Sequence, residues 1–168
     1  MLNIINNLNI FFEDCYDEIG VREYSRLFNI SAPTASKLLK NFEYEGLLKK
    51  KTYRGYLLFR ANRENPILRD LSRIYWRLKL NDIFEKLRSE FHDPIIILFG
   101  SLSKLETKKD SDVDIAVISK ISKKIDLNRY EKTLGREIQL FFFKSLDEIS
   151  KELKLNIING YKLEGDLK

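Results

Sequence analysis

Two apolar runs of this 168-residue chain, Ile95–Phe99 and Val113–Ile118, bracket the feature that most restricts what it can fold into. The first run ends on Gly100-Ser101, and ten residues later come Asp112 and Asp114, with Val113 between them. Such uninterrupted apolar runs predict buried strands. Along a strand, residues two apart point to the same side, so Asp112 and Asp114 present their carboxylates together. Gly100 permits close approach of backbone to a triphosphate, and Ser101 offers a hydroxyl and an N–H to phosphate oxygens, ideally where a helix begins. Two carboxylates facing that bend can share Mg²⁺ ions, which bridge phosphates and stabilise charge in an in-line displacement.

The rest of the composition permits such a site and excludes several alternatives. Hydrophobic residues make up 43% of the chain, with 11 Phe and 8 Tyr, which is enough to build packed cores and excludes disorder over most of the length. Cys15 stands alone, so neither an internal disulfide nor a Cys-rich zinc site can form. With His92 the single histidine, a metal here is expected on oxygen ligands. Cys15 is expected in a core, His92 in a loop, and Trp76 in packing. No apolar run approaches the length of a membrane span. Residues 1–12 lack the basic flank and small-residue cleavage site of a leader. The expectation is a soluble cytoplasmic protein with no membrane partner. A net charge of +5 decides nothing until its distribution is known.

Residues 1–62 read as helices followed by a hairpin. Leu2, Ile5, Leu8, Phe12 and Tyr16 recur at helical spacing, with Gly20 as a stop. A short helix covers 21–28, and Ser31 then predicts an N-cap for a third helix, with Pro33 in its first turn. That helix buries Ala35, Leu38, Leu39 and Phe42 and ends near Gly46. Strands are predicted over 47–51 and 56–60, with a turn between them. Three helices and a two-stranded ribbon make a winged helix-turn-helix pattern, which resembles the prokaryotic winged-helix regulators. Ser31, Thr34, Ser36, Lys37 and Lys40 are left for the outer face of the third helix, where they would reach double-stranded DNA. Lys50 and Arg54 belong to a hairpin stretch that is basic without an acidic residue, placed to touch phosphates. A homodimer would suit a pseudo-palindromic site. The bland reading is a protein-binding module whose lysines guard an edge strand.

Residues 63–91 are expected to form a connecting helical segment, one long helix or two joined near 79–81, with an apolar stripe at Ile67, Leu71, Ile74 and Leu78, extended by Ile83, Leu87 and Phe91. Residues 92–168 switch to strand periodicity, with a third apolar run at Ile138–Phe143, an amphipathic helix over 146–158 and a polar tail. The fold class expected is α+β: the winged helix, then a small mixed sheet with flanking helices.

Gly-Ser, ten residues and Asp-x-Asp, together with the terminal stretch IINGYKLEG, resembles the signature of the DNA polymerase β-like nucleotidyltransferase superfamily in its minimal prokaryotic form. The resemblance implies transfer of an NMP from Mg²⁺-bound NTP to an acceptor hydroxyl. Gly100, Ser101 and Lys104 would hold the nucleotide, with Asp112 and Asp114 as catalytic metal ligands. It also implies a role for some members as antitoxins that modify toxin proteins of the HEPN type. Two departures stand out. Lys104-Leu105 replaces the Arg-Gly pair usual in minimal members. Gln139 occupies the expected place of a third carboxylate, and an amide can neither accept a proton nor lend negative charge to Mg²⁺. Glu137 is the nearest substitute on that face, about 7 Å along the strand. The alternative is therefore a non-catalytic regulator or antitoxin whose degenerate domain senses a nucleotide.

Overall fold

The computed structural model describes residues 2–166. Met1, Leu167 and Lys168, which fall within the expected end domains, and the Leu2 side chain of the first apolar stripe lie outside the described residues. The chain forms two compact units: residues up to Ser72 with Leu105–Lys108, and Arg73–Lys104 with the residues from Lys109 onward.

In the first unit, α1 (Leu2–Glu13) buries Ile5, Leu8, Phe11 and Phe12. It stops well before Gly20, because the Asp14 carboxylate accepts the N–H groups of Tyr16 and Asp17 and turns the chain. Tyr16 is therefore exposed. Gly20 ends a two-residue strand, β1 (Ile19–Gly20), and starts α2 (Val21–Leu27). Ser25 Oγ donates to the Ile30 carbonyl at 2.5 Å, closing the turn that leads into α3 (Ala32–Tyr44). Ser31 caps α3, its hydroxyl accepting from Thr34 N, as expected for a Ser before an apolar-periodic run. Ala35, Leu39 and Phe42 face inward, whereas Leu38 is half-buried. Strands β2 (Leu48–Tyr53) and β3 (Tyr56–Ala61) form the hairpin, joined through Arg54 and Gly55 at φ +49° and +81°. Two central residues with positive φ match the twist of a tight hairpin. The three strands run antiparallel in the order β1-β3-β2.

Helix α4 (Pro66–Lys79) carries the boundary between the units, and Leu80 separates it from α5 (Asn81–Glu90). Its buried ladder is Leu68, Ser72 and Trp76, continued by Leu80 just past its end, all at 0% exposure. The stripe read from the sequence is displaced from this ladder: Ile67 and Leu78 are 63% and 52% exposed. A serine inside the true ladder hides it from an apolar count.

The second unit is built on a four-stranded mixed sheet in the order β6-β5-β4-β7. Strand β4 (Ile95–Phe99) passes into α6 (Gly100–Lys104) and pairs antiparallel with β5 (Val113–Ile118). Then α7 (Asn128–Leu134), which the sequence reading did not anticipate, returns the chain to β6 (Ile138–Phe143), parallel to β5. The amphipathic stretch after it is broken at Ile149 and Ser150 into a 3₁₀ turn (Leu146–Glu148) and α8 (Lys151–Ile158). The expected polar tail instead forms β7 (Tyr161–Glu164), antiparallel to β4. Gly160 makes that pairing accessible, since a Cβ there would lie 2.7 Å from the Leu98 carbonyl oxygen.

Side-chain alternation divides the sheet cleanly. Ile96, Leu98, Val113, Ile115 and Val117 pack with Trp76, Phe84 and Leu87 on one face. Ile97, Phe99, Ala116 and Ile118 meet Ile149 and Ile157 on the other. Among the described residues no helix is long and apolar enough to cross a membrane.

Candidate functional site

Asp112 directly precedes β5 and Asp114 is its second residue, so both belong to the face that carries Ala116 and Ile118. Antiparallel pairing sets Asp114 opposite Phe99, the last residue of β4, so the bend at Gly100-Ser101 comes alongside. Gly100 sits at φ +69°, a conformation side-chain-bearing residues rarely adopt, and opens α6. A Cβ built on it would collide with the Asp114 carboxylate, reaching Cγ at 3.0 Å. The glycine is thus required twice, for backbone angle and for room beside an acid. Ser101 is half-buried. The bend is held from behind by Ser103, whose hydroxyl donates to the Gly100 carbonyl at 3.0 Å, and by Arg73 Nε, which donates to the Ser103 carbonyl at 3.0 Å.

Parallel pairing of β5 with β6 puts Gln139 in register with Asp114. Its side chain reaches sideways to the other acid, Nε2 donating to Asp112 Oδ2 at 2.8 Å. Burial, followed by the negative charge of Asp112, raises the Asp114 carboxyl above its ordinary value. Glu137 is exposed and its carbonyl accepts from Val113 N, which places its backbone at the sheet and leaves its carboxylate out of the pair. Among the described residues no three His, Cys, Asp or Glu side chains gather into one metal-binding group. What converges is two carboxylates, one amide and a glycine-serine bend. Asp114, partly desolvated and facing the charge of Asp112, fits a divalent cation, which would remove the repulsion, provided further oxygens come from outside the chain.

Lys104 ends α6 and its Nζ donates to Asn156 Oδ1 on α8 at 2.9 Å. Leu105 takes φ +60° and is buried. The chain therefore keeps, with a leucine, the left-handed conformation that a glycine would adopt at lower cost. Arg136 escaped the sequence reading. It is buried, its Nη1 donates to the Ser111 carbonyl at 2.7 Å, and its guanidinium lies 5.3 Å from the centre of the Trp76 ring. It fixes the backbone immediately before Asp112. An arginine at a strand entrance carries no local signal that separates this role from a solvated strand end.

The residues singled out in the first unit lie on α3 and the hairpin. Ser31 spends its hydroxyl on the cap and on a 2.8 Å hydrogen bond with Thr34 Oγ1. Thr34, Lys37 and Lys40 are exposed and Ser36 is half-buried. The basic run of the hairpin is less unopposed than its sequence implies. Lys49, Lys50 and Lys51 pair with Glu64, Glu43 and Glu18, acids supplied from outside the hairpin. Arg54, at the tip, is exposed and lies 5.3 Å from the centre of the Tyr53 ring.

A protein from Methanocaldococcus jannaschii named "Putative protein adenylyltransferase MJ1547" is 32% identical over 68 residues, which is 40% of this chain and 52% of that protein. The aligned stretch thus spans about half the length of that relative. No solved structure matches the chain. The family model described as "Nucleotidyltransferase domain" matches residues 79–162, half of the chain and the part that holds the glycine-serine bend, both aspartates and Gln139. On that match the chain belongs to the nucleotidyltransferase domain family.

Proposed function

We propose that the second unit binds an NTP with Mg²⁺ and transfers its NMP to a hydroxyl on a protein acceptor, releasing pyrophosphate. The observation that carries this reading is the packing of Gly100 against the Asp114 carboxylate. It supports a single cleft in which the phosphate chain would meet both the bend and the acids. Ser101 would donate to phosphate oxygens, Gly100 leaves room for the Asp114 carboxylate beside the bend, and Asp112 and Asp114 would hold Mg²⁺, which supplies charge neutralisation at the phosphates. Lys104, tied to Asn156, is a charge at the rim of the bend. The name "Putative protein adenylyltransferase MJ1547" of the Methanocaldococcus jannaschii relative favours ATP as donor and a protein as acceptor.

In the same reading the first unit is a winged helix that binds double-stranded DNA through Thr34, Lys37 and Lys40 on α3 and Arg54 on the hairpin. Its support is their exposure together with the helix, turn, helix and hairpin order. Salt-dependent binding to duplex DNA that survives Lys37→Ala and Arg54→Ala together would count against this assignment.

A second reading has its own observation. Gln139 donates an N–H to Asp112, where a third acid would instead accept the proton of the attacking hydroxyl. This favours a unit that binds a nucleotide without transferring it, acting as a sensor in a regulator or antitoxin. Labelled ATP, Mg²⁺ and cell extract separate the two. Label on a protein that disappears in Asp112→Asn supports transfer. Magnesium-dependent ATP binding by calorimetry without label on any acceptor supports the sensor, and the absence of both overturns the site.

A further inference from the structure

Of the two acids, Asp112 is the one that the sheet's ladder leaves out. Strand β5 begins at Val113, and its register with β6 begins at Val113 and Ile138. Asp114 lies within that register and also stands opposite Phe99 of β4. Asp112 has no strand partner among the described residues, and the chain leading to it, Lys108, Lys109 and Asp110, is exposed loop. A carboxylate at the end of such a loop keeps one direction only if other groups grip its backbone. The entrance of β6 supplies that grip. The Glu137 carbonyl accepts the N–H of Val113 at 2.9 Å, just after Asp112, and Arg136 Nη1 donates to the Ser111 carbonyl at 2.7 Å, just before it. Asp112 is thus held on both flanks by two consecutive residues. The first hold is a backbone contact that any residue at 137 would make. The second needs a long side chain with a donor, and a charged donor makes the stronger hydrogen bond.

Arg136 is anchored in its turn. It falls on the side of Ile138, whose side chain shares a core with Trp76. Its guanidinium lies 5.3 Å from the centre of the Trp76 ring, within cation–π range, and the residue is 7% exposed. Trp76 is completely buried, and its Nε1 has no hydrogen-bond partner among the described residues, so the indole's polar contact is through its face. Burying a guanidinium is costly unless its donors are met. A position that had only to fill the core would be served at lower cost by leucine or methionine. The charge kept here ties the core behind the sheet to the one stretch of backbone before Asp112.

We propose that Arg136 is a positioning residue for the cation site. Acting through the Ser111 carbonyl, it holds Asp112 where its carboxylate can share a cation with Asp114, and the Trp76 ring keeps the guanidinium in place. The inference rests on the reading of that pair as Mg²⁺ ligands in an ATP site. Arg136 touches neither nucleotide nor cation in this scheme. It sets how much Mg²⁺ the site needs, as groups behind a ligating residue do.

Calorimetry of ATP binding to the full chain over a range of Mg²⁺ concentrations tests it. Arg136→Met keeps an unbranched apolar stem and removes the donor. The Mg²⁺ concentration giving half-maximal binding is expected to rise about 10–100-fold, the usual effect of losing such a support. Binding should return to the parent's level at saturating Mg²⁺, because Asp112 is displaced and not lost. Arg136→Lys keeps one charged donor without the planar fork, so a smaller rise is expected. Emission of Trp76, the single tryptophan, followed through denaturant unfolding shows that each variant is folded. If Arg136→Met does not fold, Arg136→Lys decides alone. The proposal is overturned if the folded variants bind at the parent's Mg²⁺ concentration. It is overturned equally if they lose binding at every Mg²⁺ concentration, since that marks a general loss of structure and not a displaced ligand. A parent chain that binds no ATP at any Mg²⁺ concentration would instead overturn the cation site itself, and this inference with it.

Discussion

Gly100 and Gln139 make opposite demands on the aspartate pair, and each can be tested by one substitution. Gly100→Ala sets a methyl group on the Asp114 carboxylate and holds a side-chain-bearing residue at φ +69°. The left-handed conformation alone costs about 1–2 kcal/mol, and the collision adds to it. Denaturant unfolding is expected to show that loss at the least, and calorimetry is expected to show ATP binding gone, because Asp114 must move. Gln139→Glu exchanges a donor for a third acid beside Asp112. The lost hydrogen bond to a charged group is worth about 1.5–3 kcal/mol, and like-charge repulsion replaces it. Without metal the Tm is therefore expected to fall. With Mg²⁺ it should rise by more than in the parent chain, and label transfer should increase. Failure of Mg²⁺ to restore the Tm would mean that the acids do not share a cation. The bend and the acids were legible in the sequence because strand alternation and a fixed spacing are local. Arg136 was not, because its partners, the Ser111 carbonyl and the Trp76 ring, come together only after α4 and β6 are in place.

At the scale of elements, what could be read depended on whether a segment's own chemistry or its neighbours decided its state. The third helix was legible because Ser31 and Pro33 mark its start, and the cap is testable. Ser31→Ala is expected to cost about 1 kcal/mol and to lower the melting of the first unit by a few degrees, measured by differential scanning calorimetry. A loss larger than that would show the hydroxyl bonding beyond Thr34. On α4 the extent is legible from Pro66 but the buried face is not, because two ladders compete on it and the more apolar one by count is the half-buried to exposed one. Strand β7 was read as a tail because Tyr-Lys-Leu-Glu alternates charge with apolar side chains, which suits an edge strand and a solvated terminus equally. Its pairing with β4 depends on Gly160, whose lack of a side chain is a tertiary matter. The lysine hairpin shows the reverse limit: no acid lies within the hairpin itself, and folding brings three from outside it.

At the scale of the whole molecule, two carboxyl groups shifted in opposite senses contribute to the dependence of stability on acid. Glu90 is held near a pKa of about 2 by hydrogen bonds from Lys123 and Lys86. Its folded value lies below its unfolded one, so the stability it contributes is complete above about 4.5 and is lost as pH falls toward 2. Asp114 is shifted upward by burial and by Asp112, so its ionised form opposes folding near neutrality. Acidification through its raised value relieves that cost. The two variants Glu90→Gln and Asp114→Asn therefore separate the contributions. Glu90→Gln is expected to lower Tm at pH 7 and to flatten its decline below pH 4.5. Asp114→Asn is expected to raise Tm at pH 7, with the gain shrinking on acidification, while ATP binding is lost. That pairing of higher stability with lost binding is the signature of a site whose charges are kept for a ligand at the fold's expense. A Tm for Asp114→Asn equal to or below the parent's at pH 7 would mean the aspartate pair is not under electrostatic strain. The case for a cation between Asp112 and Asp114 would then lose its physical basis.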